Sequence, residues 1–414
     1  MRTLVFELDH SGHRLQYVRV LIDALKPLCG EVLLFTSDRV IESDEYKTHL
    51  HEIESSFRTI TYPYPGHPNL LLSALAKFTA FRTAIKNHHA DHVFVPYADG
   101  LAQLLGLARM VRALNVPAGV EIEGIMMRGG FAYPTDSWTQ RLRALISLAT
   151  TTMLPFEVLH QLDPIPFSAL KRRGGAFNAH CRIIPEPVET IEQVDRAEAR
   201  RRIGIPVHGR YMVSLGSGDA RKGTDLLIRA FAHAKLEADD RLLLVGKLAP
   251  AIRRLIEGDM KAWVQEGRLI LIDQYVSHEL FCLGLNAADV ICTPYPRHVG
   301  SSGIVARAAA LDKPVLASDY GWLSAVVPTF GLGWTCRVSN MEEFALRIKT
   351  ALDSVGSYRQ PDEATQFVRF HTVANFAAHI TARIRARKGE SLPQGIVPWG
   401  EVLSGIDNIN PLLV

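Results

Sequence analysis

Two kinds of segment alternate almost throughout the chain: apolar runs of strand length, and longer stretches whose apolar residues recur at helical spacing. "TLVFEL" leads into "LQYVRVLIDALKPL", where Leu15, Val18, Ile22 and Leu25 fall on one helical face, and then into "EVLLFTS". "HVFVPY", "LAQLLGLARMVRAL" and "AGVEIEG" repeat the unit. Short apolar strands separated by helices predict a parallel sheet covered on both faces. Between residues 175 and 210 the character changes, with "IIPEPVE", "VDRAEARRRIGI" and "PVHG". The rhythm then restarts with "YMVSLG", "DLLIRAFAHAK", "RLLLVG", "RLILID", "HELFCLGLNAA", "DVICTPY" and "PVLASD". We therefore expect an α/β protein of two facing, doubly wound, Rossmann-like domains, residues 1–187 and 188–360, with a deep cleft between them. Ligands on such sheets sit outside the carboxyl ends of the strands. A helix over 361–390 and an irregular tail over 391–414 complete the expected chain.

Composition narrows the class. A chain of 414 residues with 47% hydrophobic and 21% charged residues supports two buried cores. Runs such as "LLLVG" are far too short to span a bilayer, and "MRTLVFELDHSGH" enters a strand at once with acidic residues, so the expectation is cytoplasmic. The five cysteines contain no CxxC pair, which points to no disulfide frame and no metal. A formal charge of +3 gives no indication of nucleic acid, and "KRRGG" and "RAEARRR" read as solvated faces. Lys77, Arg82 and Lys86, or Arg141 and Arg143, are compatible with contact at a membrane surface. The loops "YPYPGHPNLL" and "GIMMRGGFAYPTDSW" carry no translatable pattern.

The chemistry concentrates in loops that follow second-domain strands. In "SLGSGDARKGTDLLIRAF", the small residues Gly216, Ser217, Gly218 and Gly223 let backbone amides approach an anion, and Arg221 and Lys222 can neutralise it. The spacing of a nucleoside-triphosphate loop is absent, and no GxGxxG follows the first strand, which weighs against kinases, ATPases and plain dehydrogenases. "DQYVSHEL" sets Tyr275 and Val276 just past a strand. "RHVGSSGIVARAAAL" places Gly300, Ser301, Ser302 and Gly303 at a helix N-terminus, whose free amides and dipole favour a phosphate, with His298 beside them.

In order, "LGSGDARKGTDLLIRAF", "LLLVGK", "YVSHELFCLGLNAADVICTPY" and "GSSGIVARAAALDKPVLASDYG" resemble the C-terminal domain of glycosyltransferase family 4, retaining enzymes of the GT-B fold. The similarity covers roughly residues 183 to 350. In the first domain "DHSGHRLQYVRVLIDAL" is similar to the family's first loop and helix, which assigns Gly12, His13 and Arg14 to the acceptor side. The resemblance implies a nucleoside-diphosphate-sugar donor as co-substrate, no other cofactor and no metal. The acceptor would be a glycan, a lipid-linked sugar or a small molecule. It also implies a final helix that crosses back to the first domain.

The departures are specific. The usual arginine after the first loop's glycine is Ser217 here, while Lys222 is kept. The family's E-x7-E glutamates fall on Val299 and Arg307, and its histidine after the fourth N-terminal strand falls on Glu123. By this reading Lys222, Arg221 and Glu123 are the catalytic candidates. The donor site comprises the small residues above with Tyr275, Val276, His298 and Arg307. The expected activity is metal-independent sugar transfer with retention. A non-catalytic sugar-nucleotide- or glycan-binding protein is the alternative.

Overall fold

The computed structural model describes residues 1–64, 66, 69–174 and 180–414. Pro65, His67 and Pro68 of the loop at 62–71, and Gly175 of the basic run at 171–175, lie outside the described residues. The chain forms two compact units, Met1–Pro187 with Val373–Ile396, and Val188–Thr372 with Val397–Val414.

In the first unit the apolar runs become strands β1 (Arg2–Phe6), β2 (Glu31–Ser37), β3 (Arg58–Tyr62), β4 (His92–Val95), β5 (Glu121–Met126), β6 (Val158–Gln161) and β7 (Cys181–Ile183). They pair in parallel in the order β3-β2-β1-β4-β5-β6-β7. The order reverses beside β1 and β4, so the loops after these strands flank a topological switch point, where open α/β sheets place ligands. One face of the sheet lies under helices Leu70–Asn87 and Asp99–Met110, with Phe81, Leu101 and Leu105 against Val93 and Ile122. The other face is covered by helices Arg14–Leu25 and Val373–Arg387: Val18, Leu21, Phe376 and Ile380 pack on Val5, Phe94 and Ile125. Tyr17 and Phe376 meet edge to face at 5.7 Å. Truncating a fully buried side chain such as Phe376 to alanine would cost about 3–5 kcal/mol.

The second unit holds β8 (Arg210–Leu215), β9 (Asp240–Val245), β10 (Leu269–Ile272), β11 (Val290–Thr293), β12 (Val315–Ser318) and β13 (Gly333–Cys336), in the order β10-β9-β8-β11-β12-β13, again parallel. Its switch point lies between β8 and β11.

Two expectations for the C-terminal region need correction. The stretch 361–390 is two helices: Asp362–Phe370 belongs to the second unit, and only Val373–Arg387 lies on the first. The break is fixed by packing, since Phe367 and Phe370 are taken up by Phe330 and by Trp399 of the tail, while Phe376 and Ile380 join the first core. Nor is 391–414 irregular throughout. Trp399 opens the short helix Trp399–Val402, meets Phe370 at a tilt with ring centres 5.2 Å apart and donates its indole N–H to the Leu413 carbonyl at 3.0 Å.

Candidate functional site

The loop after β8 is built around Asp219. Its Oδ1 accepts the Lys222 amide at 2.9 Å and so closes a single 3-10 turn over Ala220–Lys222. Its Oδ2 accepts the Ser217 hydroxyl at 3.2 Å and faces the Arg221 guanidinium at 3.4 Å. Ser217 and Arg221 are thereby tied to one carboxylate, and Arg221 remains largely exposed.

Lys222 makes no ion pair among the described residues. Its Nζ rests above Gly216, where a β-carbon would come within 2.6 Å of it, and 5.4 Å from the centre of the Tyr295 ring. Burial, followed by the neighbouring charge of Arg221, pulls the ammonium down from its ordinary 10.5 to about 8, with Asp219 opposing. A partly buried cation without an ion-pair partner among the described residues favours the arrival of an anion.

Gly223 joins this loop to the next. Its φ of +65° is left-handed, and a β-carbon there would lie 2.0 Å from the Pro294 carbonyl, so glycine alone permits the contact between the loops after β8 and β11. Tyr295, missed by sequence reasoning, is 4% exposed. Burial raises its phenol well above the usual range, and the hydroxyl bonds to Ser302. Its ring contacts that of His298 at 5.1 Å, and His298 Nε2 donates to the Ser301 carbonyl at 2.9 Å. Ser302 occupies the N-cap position of helix Gly303–Ala310 without capping it by its side chain. Gly303 and Ile304 supply amide N–H groups with no acceptor among the described residues. Gly216, Gly218, Lys222, Gly223, Tyr295, His298 and Ser301–Gly303 are thus brought to one end of the second sheet at its switch point. With a partly buried ammonium beside a helix N-terminus, this corner can hold a diphosphate.

Other expected residues are placed differently. Tyr275 and Val276 lie in the loop after β10, at the edge of the sheet; Tyr275 is 67% exposed. Arg307 turns back on its own helix, donating to the Gly303 carbonyl at 3.1 Å, and its guanidinium lies 5.9 Å from the Phe281 ring. That direction is toward helix His278–Ala287.

Glu123 is not presented to a site. It lies within β5, 1% exposed, on the face beneath helix Val373–Arg387, and accepts hydrogen bonds from His160 at 2.8 Å and His92 at 3.2 Å. Burial alone raises this carboxyl, but the two histidine bonds outweigh it and hold it at about 2. The correspondence that made Glu123 catalytic is corrected: the residue is a structural tie between β4, β5 and β6.

Gly12, His13 and Arg14 follow β1. Arg14 bonds both Glu7 oxygens, at 3.0 and 3.1 Å, and lies 3.6 Å over the Tyr97 ring. Lys77 pairs with Asp9. Burial pushes the Glu7 carboxyl up while Arg14 opposes. This polar cluster at the first unit's switch point includes Glu7, Asp9 and Tyr97, which the sequence reading passed over, and Lys77, which it had set toward a membrane surface and which pairs with Asp9 instead. The acidic residues ending the apolar strand "TLVFEL" and following it were the available signal. Among the described residues no group of three or more His, Cys, Asp or Glu side chains is gathered for a metal ion.

Two parallel, doubly wound units of this kind define the GT-B architecture, and known proteins agree. Sucrose-phosphate synthase from Thermosynechococcus elongatus superposes with a TM-score of 0.72 at 20% identity, over 94% of this chain and 100% of that one. Anabaena HepE in complex with UDP gives 0.66 at 14% identity, over 93% and 100%. WaaG, a glycosyltransferase of lipopolysaccharide biosynthesis, gives 0.60 at 16% identity, over 98% and 100%. Residues 195–366 match the family model of glycosyl transferases group 1. The chain thus has the GT-B fold, and its residues 195–366 are similar to the glycosyl transferases group 1 family. The D-inositol 3-phosphate glycosyltransferase of Acidothermus cellulolyticus is 30% identical over 165 residues, 37% of this chain and 36% of that protein. The corresponding protein of Xylanimonas cellulosilytica is 31% identical over 136 residues, 32% and 31%. The match spans about a third of the length of these curated relatives.

Proposed function

We propose that this protein transfers a sugar from a nucleoside-diphosphate sugar to a hydroxyl acceptor, with retention at the anomeric carbon and with no metal or other cofactor. The observation that carries the reading is the partly buried ammonium of Lys222 over Gly216, with no ion pair among the described residues, beside the N-terminus of helix Gly303–Ala310. In the transfer the C1–O bond to the diphosphate breaks with its electron pair going to the leaving oxygen. The acceptor oxygen bonds C1 on the same face, and its proton passes to the departing diphosphate. Charge develops on the diphosphate, and a preorganised cation with amide donors stabilises it there. Lys222 supplies the cation, Gly303 and Ile304 the amides, and His298 a ring nitrogen for a sugar hydroxyl. Gly12, His13 and Arg14 serve the acceptor.

Because HepE was solved with UDP, uridine nucleotides are the first donors to try. Calorimetric titration with UDP, GDP and ADP, followed by donor-hydrolysis and transfer assays with the matching sugar nucleotides, tests the reading. An α-configured product from an α-configured donor establishes retention. Val299 and Arg307 stand where the resemblance has glutamates, and Arg307 faces Phe281. That arrangement favours one other reading, a sugar-nucleotide-binding protein without turnover, which tight binding with no transfer or hydrolysis of any donor would establish.

A further inference from the structure

Helix Trp138–Thr151 is amphipathic in the wrong sense for a helix packed on a core. Its fully buried side chains are Thr150 and Thr151, whose hydroxyls bond carbonyls of their own helix. It approaches helix Asp99–Met110 so closely that a β-carbon on Gly106 would lie 2.0 Å from the Thr150 carbonyl oxygen. Its outward side carries Trp138 at 73%, Leu142 at 48%, Leu145 at 60% and Ile146 at 51% exposure, an apolar stripe at helical spacing. Leu107 and Met110 of the adjoining helix are exposed as well. Packing within this chain gives no reason for such a stripe, and patches of this kind mark interaction surfaces.

Charge identifies the occupant. Residues 137–156 contain no Asp or Glu, and neither do 100–120, which carry most of the helix alongside. Arg141 and Arg143 flank the stripe, exposed and without an ion pair among the described residues. A second copy docked about a two-fold axis would offer these arginines only the same carboxylate-free surface. An anionic bilayer offers what both halves of the surface lack, an apolar interior for the stripe and phosphates for the guanidiniums. Among the described residues no helix is long and apolar enough to cross a membrane, so the helix would lie in the interface plane. We propose that helix Trp138–Thr151 is an anionic-lipid docking surface, with Trp138, Leu142, Leu145 and Ile146 entering the headgroup boundary and Arg141 and Arg143 on lipid phosphates.

Co-sedimentation of the full chain, without any nucleotide, with vesicles of phosphatidylcholine alone or mixed with phosphatidylglycerol tests this independently of the donor site. The wild type should pellet with the mixed vesicles and not with the neutral ones. Leu142→Ser/Leu145→Ser and, separately, Arg141→Glu/Arg143→Glu should each lower partitioning roughly tenfold or more, with melting temperatures unchanged because all four side chains are exposed. Wild type remaining in the supernatant with both vesicles would overturn the proposal. So would a wild-type dimer that Leu142→Ser/Leu145→Ser dissolves without any vesicle binding, or binding to an acidic polypeptide alone.

Discussion

The ammonium of Lys222 occupies the space that a side chain at Gly216 would need, 2.6 Å from the position of a β-carbon there, and Gly216 has a φ of +93°. Gly216→Ala therefore imposes left-handed strain of about 1–2 kcal/mol and displaces the cation. Calorimetric titration should show nucleoside-diphosphate affinity lowered by roughly tenfold or more, together with a modest loss of thermal stability.

Lys222→Ala removes the cation itself. Losing one preorganised donor to a developing oxyanion typically costs about 2.7–4 kcal/mol, so turnover should fall by roughly two to three orders of magnitude with the circular-dichroism spectrum intact. Unchanged turnover in a donor-hydrolysis assay would remove Lys222 from the mechanism.

The depressed titration of Lys222 predicts proton uptake on binding. The free lysine loses its proton near pH 8, and a diphosphate beside it restores the proton, so above about pH 8 binding should take up a proton and affinity should fall as pH rises. Titrations in buffers of different ionisation enthalpy read this directly. For stability the sign is opposite. Between about 8 and 10.5 the unfolded chain binds more protons at this residue than the folded one, so its contribution to stability rises with pH over that window and is flat below it.

Glu123→Gln should leave turnover unchanged, since the carboxylate faces His92 and His160 inside the first sheet. It should lower stability by about 1–3 kcal/mol, because an amide in place of the carboxylate leaves buried hydrogen-bonding partners imperfectly satisfied. A thermal melt alongside a transfer assay separates the two. Lost turnover at unchanged stability would return Glu123 to the mechanism.

Arg307→Glu should not tighten nucleotide binding, because the side chain here turns to the Gly303 carbonyl and the Phe281 ring. A gain of tenfold, about 1.4 kcal/mol by calorimetry, would show that a carboxylate at this position still reaches the ribose.

Legibility in the sequence followed how local the cause was. Strands such as β1, β2, β4, β11 and β12 could be read because each is an apolar run buried on both faces, whereas β3 and β13, partly exposed at the sheet edges, carry no such run; the glycine turn with Lys222 could be read because only small residues let a backbone approach an anion. Tyr295 gave no signal, because its role depends on Gly223 drawing two loops together across the switch point. The break at His371–Thr372 was equally hidden. No Pro or Gly interrupts "EATQFVRFHTVANFAAHI", and the two halves separate because Phe370 and Phe376 are claimed by different cores. Glu123 was misplaced by a correspondence of positions that says nothing about which histidines stand on the neighbouring strands.

The return of Val373–Ile396 to the first unit also has a meaning in time. A ribosome releases the whole of Met1–Pro187 long before Phe376, Ile380 and Ile384 exist, so nascent Val5, Phe94 and Ile125 must wait with one side of their sheet incompletely covered. The amino-terminal half should depend on chaperones during synthesis and, expressed as residues 1–187 alone, should aggregate. Supplying the segment 373–396 as a separate peptide should rescue it.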